Sequence, residues 1–238
     1  MLAQLIKEGK KVVVFTGAGM STESGLPDFR SAKDGMWTKY DPSEVATVDA
    51  LNSQFDTFIE FYRNRVIGVN EYGPHEGHYI LADWERKGYV TSIITQNVDG
   101  FHQEAGSRHV IELHGTLKEV HCETCGKVYS NKRYEDEQYY CECGGPLRPS
   151  IVLFGEMLDE RALMEAALVS EGADVFLVLG SSLTVSPANQ YPLIAVEHDA
   201  TLIIVNQGET QYDAFADRCI KNEKIGDYLR RIQAELQE

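Results

Sequence analysis

The fold is decided by one stretch near the start of the chain, Val12-Val13-Val14-Phe15-Thr16-Gly17-Ala18-Gly19-Met20-Ser21. Its first half is apolar and β-branched, as in a strand buried on both faces, and its second half consists mostly of small residues. Gly17 and Gly19 have no Cβ, so the backbone there can approach a ligand closely. We expect Ser21 to cap a following helix, whose free N–H groups attract a pyrophosphate. The stretch therefore predicts a parallel strand that ends in a nucleotide-binding turn.

The turn differs from the usual dinucleotide fingerprint, G-x-G-x-x-G. The third glycine of that pattern would stand at position 22, where this chain has Thr22. A polar loop, Pro27-Asp28-Phe29-Arg30, then follows, which a simple phosphate-binding turn does not need. The pattern thus indicates a nucleotide site, but not the standard dehydrogenase version of it.

The composition limits the classes of protein to be considered. The chain has 238 residues, 43% of them hydrophobic, which is typical of a globular fold with a substantial core. A formal net charge of -15 argues against nonspecific binding to nucleic acid. No apolar run approaches the ~20 residues of a membrane span. The start, 1–8, predicts a short amphipathic helix without the features of a signal peptide, so we expect a cytoplasmic protein.

Strand and helix patterns alternate along the chain, which predicts an α/β fold: a Rossmann-like parallel sheet flanked by helices. Pro192 should disturb the helix in which it lies. The predicted strands are 11–16, 89–95, 110–113, 174–180 and 201–206, and the predicted helices are 54–67, 75–87, 159–170, 187–197 and 221–237.

Four of the five cysteines form two close pairs, Cys122-x2-Cys125 and Cys141-x-Cys143, fifteen residues apart. Four thiolates at such spacing favour a closed, structural zinc site, although C-x-x-C would be the commoner second pair. Two disulfides or four unrelated thiols are the alternatives. Cys219 stands alone and is interpreted as a packed core thiol.

Two further segments follow predicted strands and carry groups suited to chemistry. Asn97 and Asp99 could bind an amide or a ribose hydroxyl, or simply form an Asx-turn. His114 precedes Gly115 at a strand end, where it is either a general base or a structural histidine. The sequence offers no recognisable nucleophile, so the chemistry would fall to a cofactor or to a base acting on a bound substrate.

Together these motifs resemble the sirtuin family, the silent-information-regulator type of NAD-dependent protein lysine deacylases. The resemblance implies a large Rossmann-like domain of about 1–30, 88–117 and 150–238, and a small domain of about 31–87 (helical) and 118–149 (zinc-binding). NAD and an acyl-lysine peptide would meet in the cleft between them. The matching motifs are Gly17 to Ser21, Glu23 to Arg30, Thr95 to Asp99, His114-Gly115, the cysteine pairs, Arg148-Pro149, Val152 to Glu156, Gly180 to Ser182 and Val205-Asn206.

The resemblance also implies roles for individual residues. His114 would be the catalytic base, and Asn97 would act with Asp99 at the nicotinamide end of NAD. Phe29 would shield the reacting ribose carbon, and Arg30 would lie in a mobile cofactor loop. The remaining expected cofactor-binding residues are Gly17, Ala18 and Gly19 at the pyrophosphate, Gln96 at a ribose, Ser181 and Asn206 at the adenosine, and Glu23, Asp28, Gly180, Ser182 and Cys219 around them.

The substrate side of the expected site has two parts. The segment Val152-Leu153-Phe154 would pair with the substrate backbone as an added strand. Tyr62 and Arg65 lie three apart on one helical face, and Ala46 stands sixteen positions before Tyr62, as in sirtuins that remove malonyl or succinyl groups. Arg65 would then bind the distal carboxylate of the acyl group. The alternative is an ordinary exposed arginine, and that branch often has Thr where this chain has Asp28.

The implied reaction consumes NAD: the acyl oxygen attacks the ribose at C1′, nicotinamide leaves, and His114 takes a proton from the ribose hydroxyl relay. The products are nicotinamide, free lysine and O-acyl-ADP-ribose. ADP-ribosylation of a protein on the same NAD site is the alternative, and an NAD sensor or zinc-ribbon binding module is a third. We expect a monomer with NAD as co-substrate, one structural Zn²⁺, acyl-lysine proteins as partners, and neither specific nucleic acid nor a membrane.

Overall fold

The computed structural model describes residues 1–30 and 35–238. Six of its strands form a parallel sheet and three form a smaller antiparallel sheet. The strands are β1 (Val12–Thr16), β2 (Val90–Thr95), β3 (Val110–Glu112), β4 (Gly115–Cys122), β5 (Val128–Ser130), β6 (Leu147–Ile151), β7 (Val175–Leu179), β8 (Thr201–Val205) and β9 (Arg218–Ile220).

The parallel sheet has the strand order β3-β2-β1-β7-β8-β9. Counted within this sheet alone, the order is 3-2-1-4-5-6, that of a dinucleotide-binding Rossmann fold. The direction of winding reverses between β1 and β7, and ligands bind in the crevice at such a switch point. The predicted fold class is therefore confirmed, and the loops after β1 and β7 meet where a nucleotide is expected.

Helices cover both faces of the parallel sheet. Every residue of β1 is buried. Val12 and Val14 pack into a cluster with Trp84 and Leu229, whereas the alternate residue Phe15 packs into a second cluster on the opposite face. The helices are α1 (Leu2–Lys7), α2 (Pro42–Val45), α3 (Val48–Ser53), α4 (Phe55–Glu71), α5 (Glu76–Arg86), α6 (Phe101–Glu104), α7 (Lys132–Glu135), α8 (Glu160–Glu171), α9 (Tyr191–Glu197) and α10 (Ile225–Gln237).

Two of the predicted helices differ from the structure. Helix α9 begins only at Tyr191, after a 3₁₀ turn, so Pro192 lies in its first turn, where no backbone N–H is needed. The expectation that Pro192 disturbs the helix is therefore wrong. The last helix starts at Ile225 and not at position 221, because residues 221–224 form the connection to it from the short edge strand β9, which the sequence did not reveal.

The antiparallel sheet has the order β5-β4-β6 and packs with α4 and α7 around a third apolar cluster. Tyr62, Val66 and Tyr134 are among its most buried members. The domain boundaries stay a prediction: β4 starts at Gly115 and runs across the proposed boundary after 117, and residues 31–34 lie outside the described residues.

The helices were also compared with the requirements of a membrane span. Within the described ranges, none is both long enough and apolar enough to cross a bilayer.

Candidate active site

The turn after β1 is a 3₁₀ helix that runs from Ala18 to Ser24. Ser21 lies inside this helix, not at its start, and its hydroxyl donates a hydrogen bond of 2.7 Å to Asp99. The expectation that Ser21 caps a following helix is therefore wrong. Its hydroxyl instead joins the loops after the neighbouring strands β1 and β2.

Glycine is required in this turn by the neighbouring loop. A Cβ on Gly17 or on Gly19 would lie 2.8 Å from a backbone atom of Gly180, in the loop after β7. Gly180 itself has a φ of 63°, which favours glycine. The two loops at the switch point are thus in direct backbone contact, a reason for these glycines beyond the ligand approach that we predicted.

Asn97 and Asp99 are buried at the centre of this crevice. Asn97 Nδ2 donates to the carbonyl of Gly17 at 3.0 Å and contacts Ser21 Oγ at 3.2 Å. Asp99 accepts a hydrogen bond from Ser21 and another from the N–H of Phe101. Burial raises the pKa of the Asp99 carboxyl, and these hydrogen bonds oppose the rise. The Asx-turn interpretation is thus also met, since Asp99 accepts the N–H of the residue two positions on, just where α6 begins.

Gln96 connects the nucleotide loops to the expected base. Its side-chain amide donates to Ser181 Oγ at 2.7 Å. Its carbonyl lies 3.1 Å from Nδ1 of His114, and because a carbonyl only accepts, Nδ1 carries the proton. The Nε2 atom of the neutral ring is then left to accept a proton. Burial lowers the pKa of His114, and the hydrogen bond to Gln96 opposes it, so the ring is neutral at pH 7.

The loop after β7 contains a residue that sequence reasoning missed. Leu183 has a φ of 54°, a conformation uncommon for a side chain with a Cβ. Ser181 Oγ accepts its N–H, and the side-chain amides of Asn189 and Gln211 both donate to its carbonyl. No motif marks these amides, because their common acceptor becomes apparent only once the chain is folded.

The other expected cofactor residues lie around the same crevice or at its edge. Glu23 accepts the N–H of Gly226 at 2.8 Å, which fastens the 3₁₀ helix to the start of α10. Asp28 accepts the N–H of Arg30, whose pKa is lowered by burial. Ser182 contacts Thr184, and Asn206 donates to the carbonyl of Gly208. Cys219 packs against an apolar cluster of the parallel sheet, as predicted, but it is only partly buried and is not a core residue.

Arg65 is enclosed by aromatic rings. Its guanidinium carbon lies 5.3 Å from the ring centre of Phe29, 5.8 Å from that of Phe61 and 5.5 Å from that of Tyr62, all within cation–π range. Burial lowers its pKa, and a hydrogen bond with the Tyr62 phenol opposes this. No ion pair to Arg65 is found in 1–30 and 35–238. The alternative of an ordinary exposed arginine is therefore wrong.

The segment expected to pair with substrate joins this pocket to His114. The N–H of Val152 donates to the carbonyl of His114 at 2.9 Å, and the N–H of Phe154 donates to the carbonyl of Ala46 at 2.9 Å. Ala46 is buried in the cluster that contains Tyr62. The structure thus brings together the expected base, the aromatic surroundings of Arg65 and the segment expected to bind substrate, although these N–H groups of the segment are already bonded within the chain.

The four paired cysteines converge at the end of the antiparallel sheet. All four Sγ atoms lie within 4.8 Å of one another, with 3.5 Å between Cys122 and Cys143 and 3.6 Å between Cys125 and Cys141. Tetrahedral Zn–S bonds of ~2.3 Å require Sγ separations of about 3.8 Å. A disulfide needs ~2.05 Å, so that alternative does not apply. The site also requires glycine at position 145, because a Cβ on Gly145 would lie 2.7 Å from Cys122 Sγ. The residues therefore fit a structural zinc ion.

Comparison with known proteins agrees with this arrangement. The model of the Sir2 family matches residues 17–187. The chain is 60% identical over 235 residues to an "NAD-dependent protein deacetylase" of Oceanobacillus iheyensis, covering 99% of this chain and 100% of that protein. It is 55% identical to "NAD-dependent protein deacetylase 1" of Geobacillus kaustophilus, covering 96% of this chain and 95% of that protein.

Solved structures match over nearly the whole chain as well. A Sir2 enzyme with a deacetylated p53 peptide and 3′-O-acetyl ADP ribose is 39% identical, with a TM-score of 0.92, over 98% of this chain and 96% of that one. A Sir2 homologue complexed with ADP ribose is 36% identical, also with a TM-score of 0.92, over 99% of this chain and 95% of that one. The chain therefore belongs to the Sir2 family.

Proposed function

We propose that this chain is an NAD-dependent protein lysine deacylase that removes acetyl groups and transfers them to ADP-ribose. The observation that carries the proposal is the hydrogen-bonded path from the glycine turn through Asn97 and Gln96 to the neutral ring of His114. Relatives that match nearly the whole chain are named NAD-dependent protein deacetylases, and one related structure contains a p53 peptide together with NAD.

In the proposed reaction, the residues of the crevice bind NAD and His114 acts as the base. NAD, as co-substrate, would lie in the crevice at the switch point, with its nicotinamide end near Asn97 and Asp99. The chain has no nucleophile of its own in this role, so the acyl oxygen of the substrate would attack the ribose. His114 Nε2 would accept the proton of the ribose hydroxyl, since Nδ1 already donates to Gln96.

The proposal is tested by incubating the purified protein with NAD and an acetyl-lysine peptide. We expect equal amounts of nicotinamide, deacetylated peptide and O-acetyl-ADP-ribose, measured by mass spectrometry. Gain of ADP-ribose mass on a protein, with the acyl group retained, would instead support the alternative transferase. Absence of any nicotinamide release would contradict both.

A second activity, removal of succinyl or malonyl groups, is favoured by the surroundings of Arg65. Within the described residues Arg65 is a half-buried cation that forms no ion pair. Burying such a charge costs free energy, and the carboxylate at the end of such an acyl chain would offset that cost. Ala46 leaves room for this carboxylate, because its side chain is a single methyl group. It lies in the same apolar cluster as Tyr62.

The test of Arg65 compares acyl chains on Arg65→Met and on the wild type. We expect kcat/KM for the succinyl peptide to fall by roughly ten- to hundredfold, the cost of losing a hydrogen bond between charged groups. Turnover of the acetyl peptide should change much less. Asn64→Met is the matched control, because that neighbouring side chain is exposed. Equal losses for both peptides would rule out Arg65 as a reader of the carboxylate.

A further inference from the structure

Arg148 is the buried centre of a partly exposed ion-pair network beside the candidate active site. It lies on β6, opposite His121 on β4, and is only 8% exposed. Its two terminal nitrogens donate to the two carboxylate oxygens of Glu156, at 3.1 and 2.8 Å. Its Nε lies 2.6 Å from a carboxylate oxygen of Glu123 and 3.3 Å from the His121 ring. One guanidinium therefore connects two separate segments of the chain.

The first of these segments is the one expected to take substrate. Glu156 accepts the N–H of Leu153 at 2.8 Å with the same oxygen that Arg148 binds, and its own N–H donates to the carbonyl of Leu153 at 3.0 Å. The neighbouring N–H groups, of Val152 and Phe154, are held by the carbonyls next to the base and the acyl pocket. Glu156 thus fixes the middle of the segment 152–156 and Arg148 fixes Glu156.

The second segment is the turn between Cys122 and Cys125, here called the zinc knuckle. Glu123 stands between two of the zinc-site cysteines, Cys122 and Cys125, and its N–H donates to the carbonyl of Pro146 at 3.0 Å. Its position is therefore set by the fold of the zinc site. Charged side chains therefore link this knuckle, through Arg148, to the segment 152–156.

The chemistry of this connection depends on arginine. A guanidinium presents a planar fork that matches the two oxygens of a carboxylate and has a further N–H for a second partner, whereas the ammonium of lysine is a point charge. Removing a partner from a buried pair leaves the other charge uncompensated. The substrate segment would then lose the bond that holds its central N–H.

We propose that Arg148 is a positioning residue. By pairing with Glu123 of the zinc knuckle and with Glu156, it holds the segment 152–156 in its substrate-binding conformation. The substrate role of the segment rests on the proposed function. The positioning itself does not, since it can be measured without turnover.

The test uses Arg148→Lys, with Arg230→Lys as the matched control. Arg230 also forms a two-oxygen pair, with Glu76, but on helices α10 and α5 away from the site. In the full-length, zinc-loaded protein we expect hydrogen exchange at the amides of Leu153 and Phe154 to accelerate by roughly tenfold or more, the cost of a lost charged hydrogen bond. Zinc content should stay at the wild-type level, and Arg230→Lys should not change this exchange.

The kinetic measurement on the same variants separates positioning from general damage. We expect the KM for the acyl peptide to rise by about tenfold in Arg148→Lys and the KM for NAD to stay within about twofold, since the nucleotide crevice is not part of the network. Glu123→Gln, which retains the side-chain shape, should accelerate exchange at the same amides by a smaller factor.

Three results would overturn the proposal: unchanged exchange in Arg148→Lys, loss of zinc together with faster exchange throughout the chain, or unchanged exchange in Glu123→Gln. A wild-type protein that does not deacylate would contradict the proposed function instead. The exchange measurements would still decide the role of Arg148.

Discussion

At the scale of single residues, the site depends on which atom of a side chain is left free. Nδ1 of His114 is fixed by the Gln96 carbonyl, so Nε2 is the atom that can accept a proton. Ser21 Oγ donates to Asp99, and Asn97 bridges the same serine to the backbone of Gly17. The partners that engage these atoms are distant in sequence. The sequence alone therefore left two roles open for each of Asn97 and His114.

The pH dependence of catalysis follows from the environment of His114. A general base works when neutral, that is, above its pKa, and burial lowers the pKa of this ring from its ordinary 6.5. We therefore expect the acidic limb of kcat/KM to lie below pH 6.5. In His114→Asn, deacylation should fall by at least about a hundredfold, the usual contribution of a general base.

The measurement is the pH profile of nicotinamide release under limiting peptide. The control is His198→Asn, which changes an exposed histidine at the end of α9. An acidic limb centred above pH 6.5, or retained activity in His114→Asn, would remove His114 from the role of base.

At the scale of elements, the parallel sheet could be predicted from the sequence because its strands are buried on both faces and read as unbroken apolar runs. The run Val12–Thr16 is of this kind, and so are Val175–Leu179 and Thr201–Val205. The edge strand Arg218–Ile220 has three residues and only partial burial, so it carries no such pattern.

Turns and short helices were less predictable, because their conformation is set by tertiary contacts. Gly180 approaches the 3₁₀ helix after β1 closely, and the left-handed Leu183 is held by two nearby side chains, Ser181 and Asn189, and by Gln211 from further along the chain. Pro192 looked like a helix breaker only because the start of α9 was placed too early. Spacing within the chain could not supply any of these contacts.

The zinc module is the element whose stability we expect to depend on metal. Structural zinc sites contribute on the order of 10 kcal/mol of binding free energy, which is realised only in the folded site. Cys143→Ser should therefore lose most of its zinc, measured by elemental analysis, and should unfold at a lower temperature. Cys219→Ser is the control, because that partly buried thiol lies on the edge strand β9, outside the cysteine cluster.

The same pair of variants tests whether the second cysteine pair is a true ligand pair despite its short spacing. Wild-type zinc content in Cys143→Ser would mean that the ion, if bound, is held by other groups. Equal zinc loss in both variants would point to damage of the whole fold and not of the site.

At the scale of the whole molecule, the parallel sheet and the zinc-site sheet are joined through the candidate active site. Strand β4 begins at Gly115, directly after the expected base, and β6 ends at Ile151, directly before the substrate segment. The sequence predicted the zinc site from its cysteines, and the family resemblance implied the inserted module. The sequence could not predict that the module's ion pairs reach the expected substrate segment, because the pairing of Arg148 with Glu156 depends on the position of β6 in the fold.

The stability of the whole molecule should fall in mild acid because of two buried histidines. Burial lowers the pKa of His78 to about 2 and that of His102 to about 3. Both rings are therefore neutral in the folded protein, whereas in the unfolded chain they bind protons below pH 6.5. Stability is then complete above pH 6.5 and is lost as the pH falls toward 3, at about 1.4 kcal/mol per pH unit for each ring. At pH 5 the two together should cost about 4 kcal/mol.

Urea unfolding of the wild type and of His102→Asn, from pH 7.5 to pH 5, measures this loss. Asn cannot titrate, so the variant should lose about 1.4 kcal/mol per pH unit less than the wild type below pH 6, whatever its stability at pH 7. His198→Asn, which alters an exposed ring, should keep the wild-type slope. Parallel slopes for the wild type and His102→Asn would mean that the folded protein accepts a proton at His102, and would contradict the burial effect on this ring.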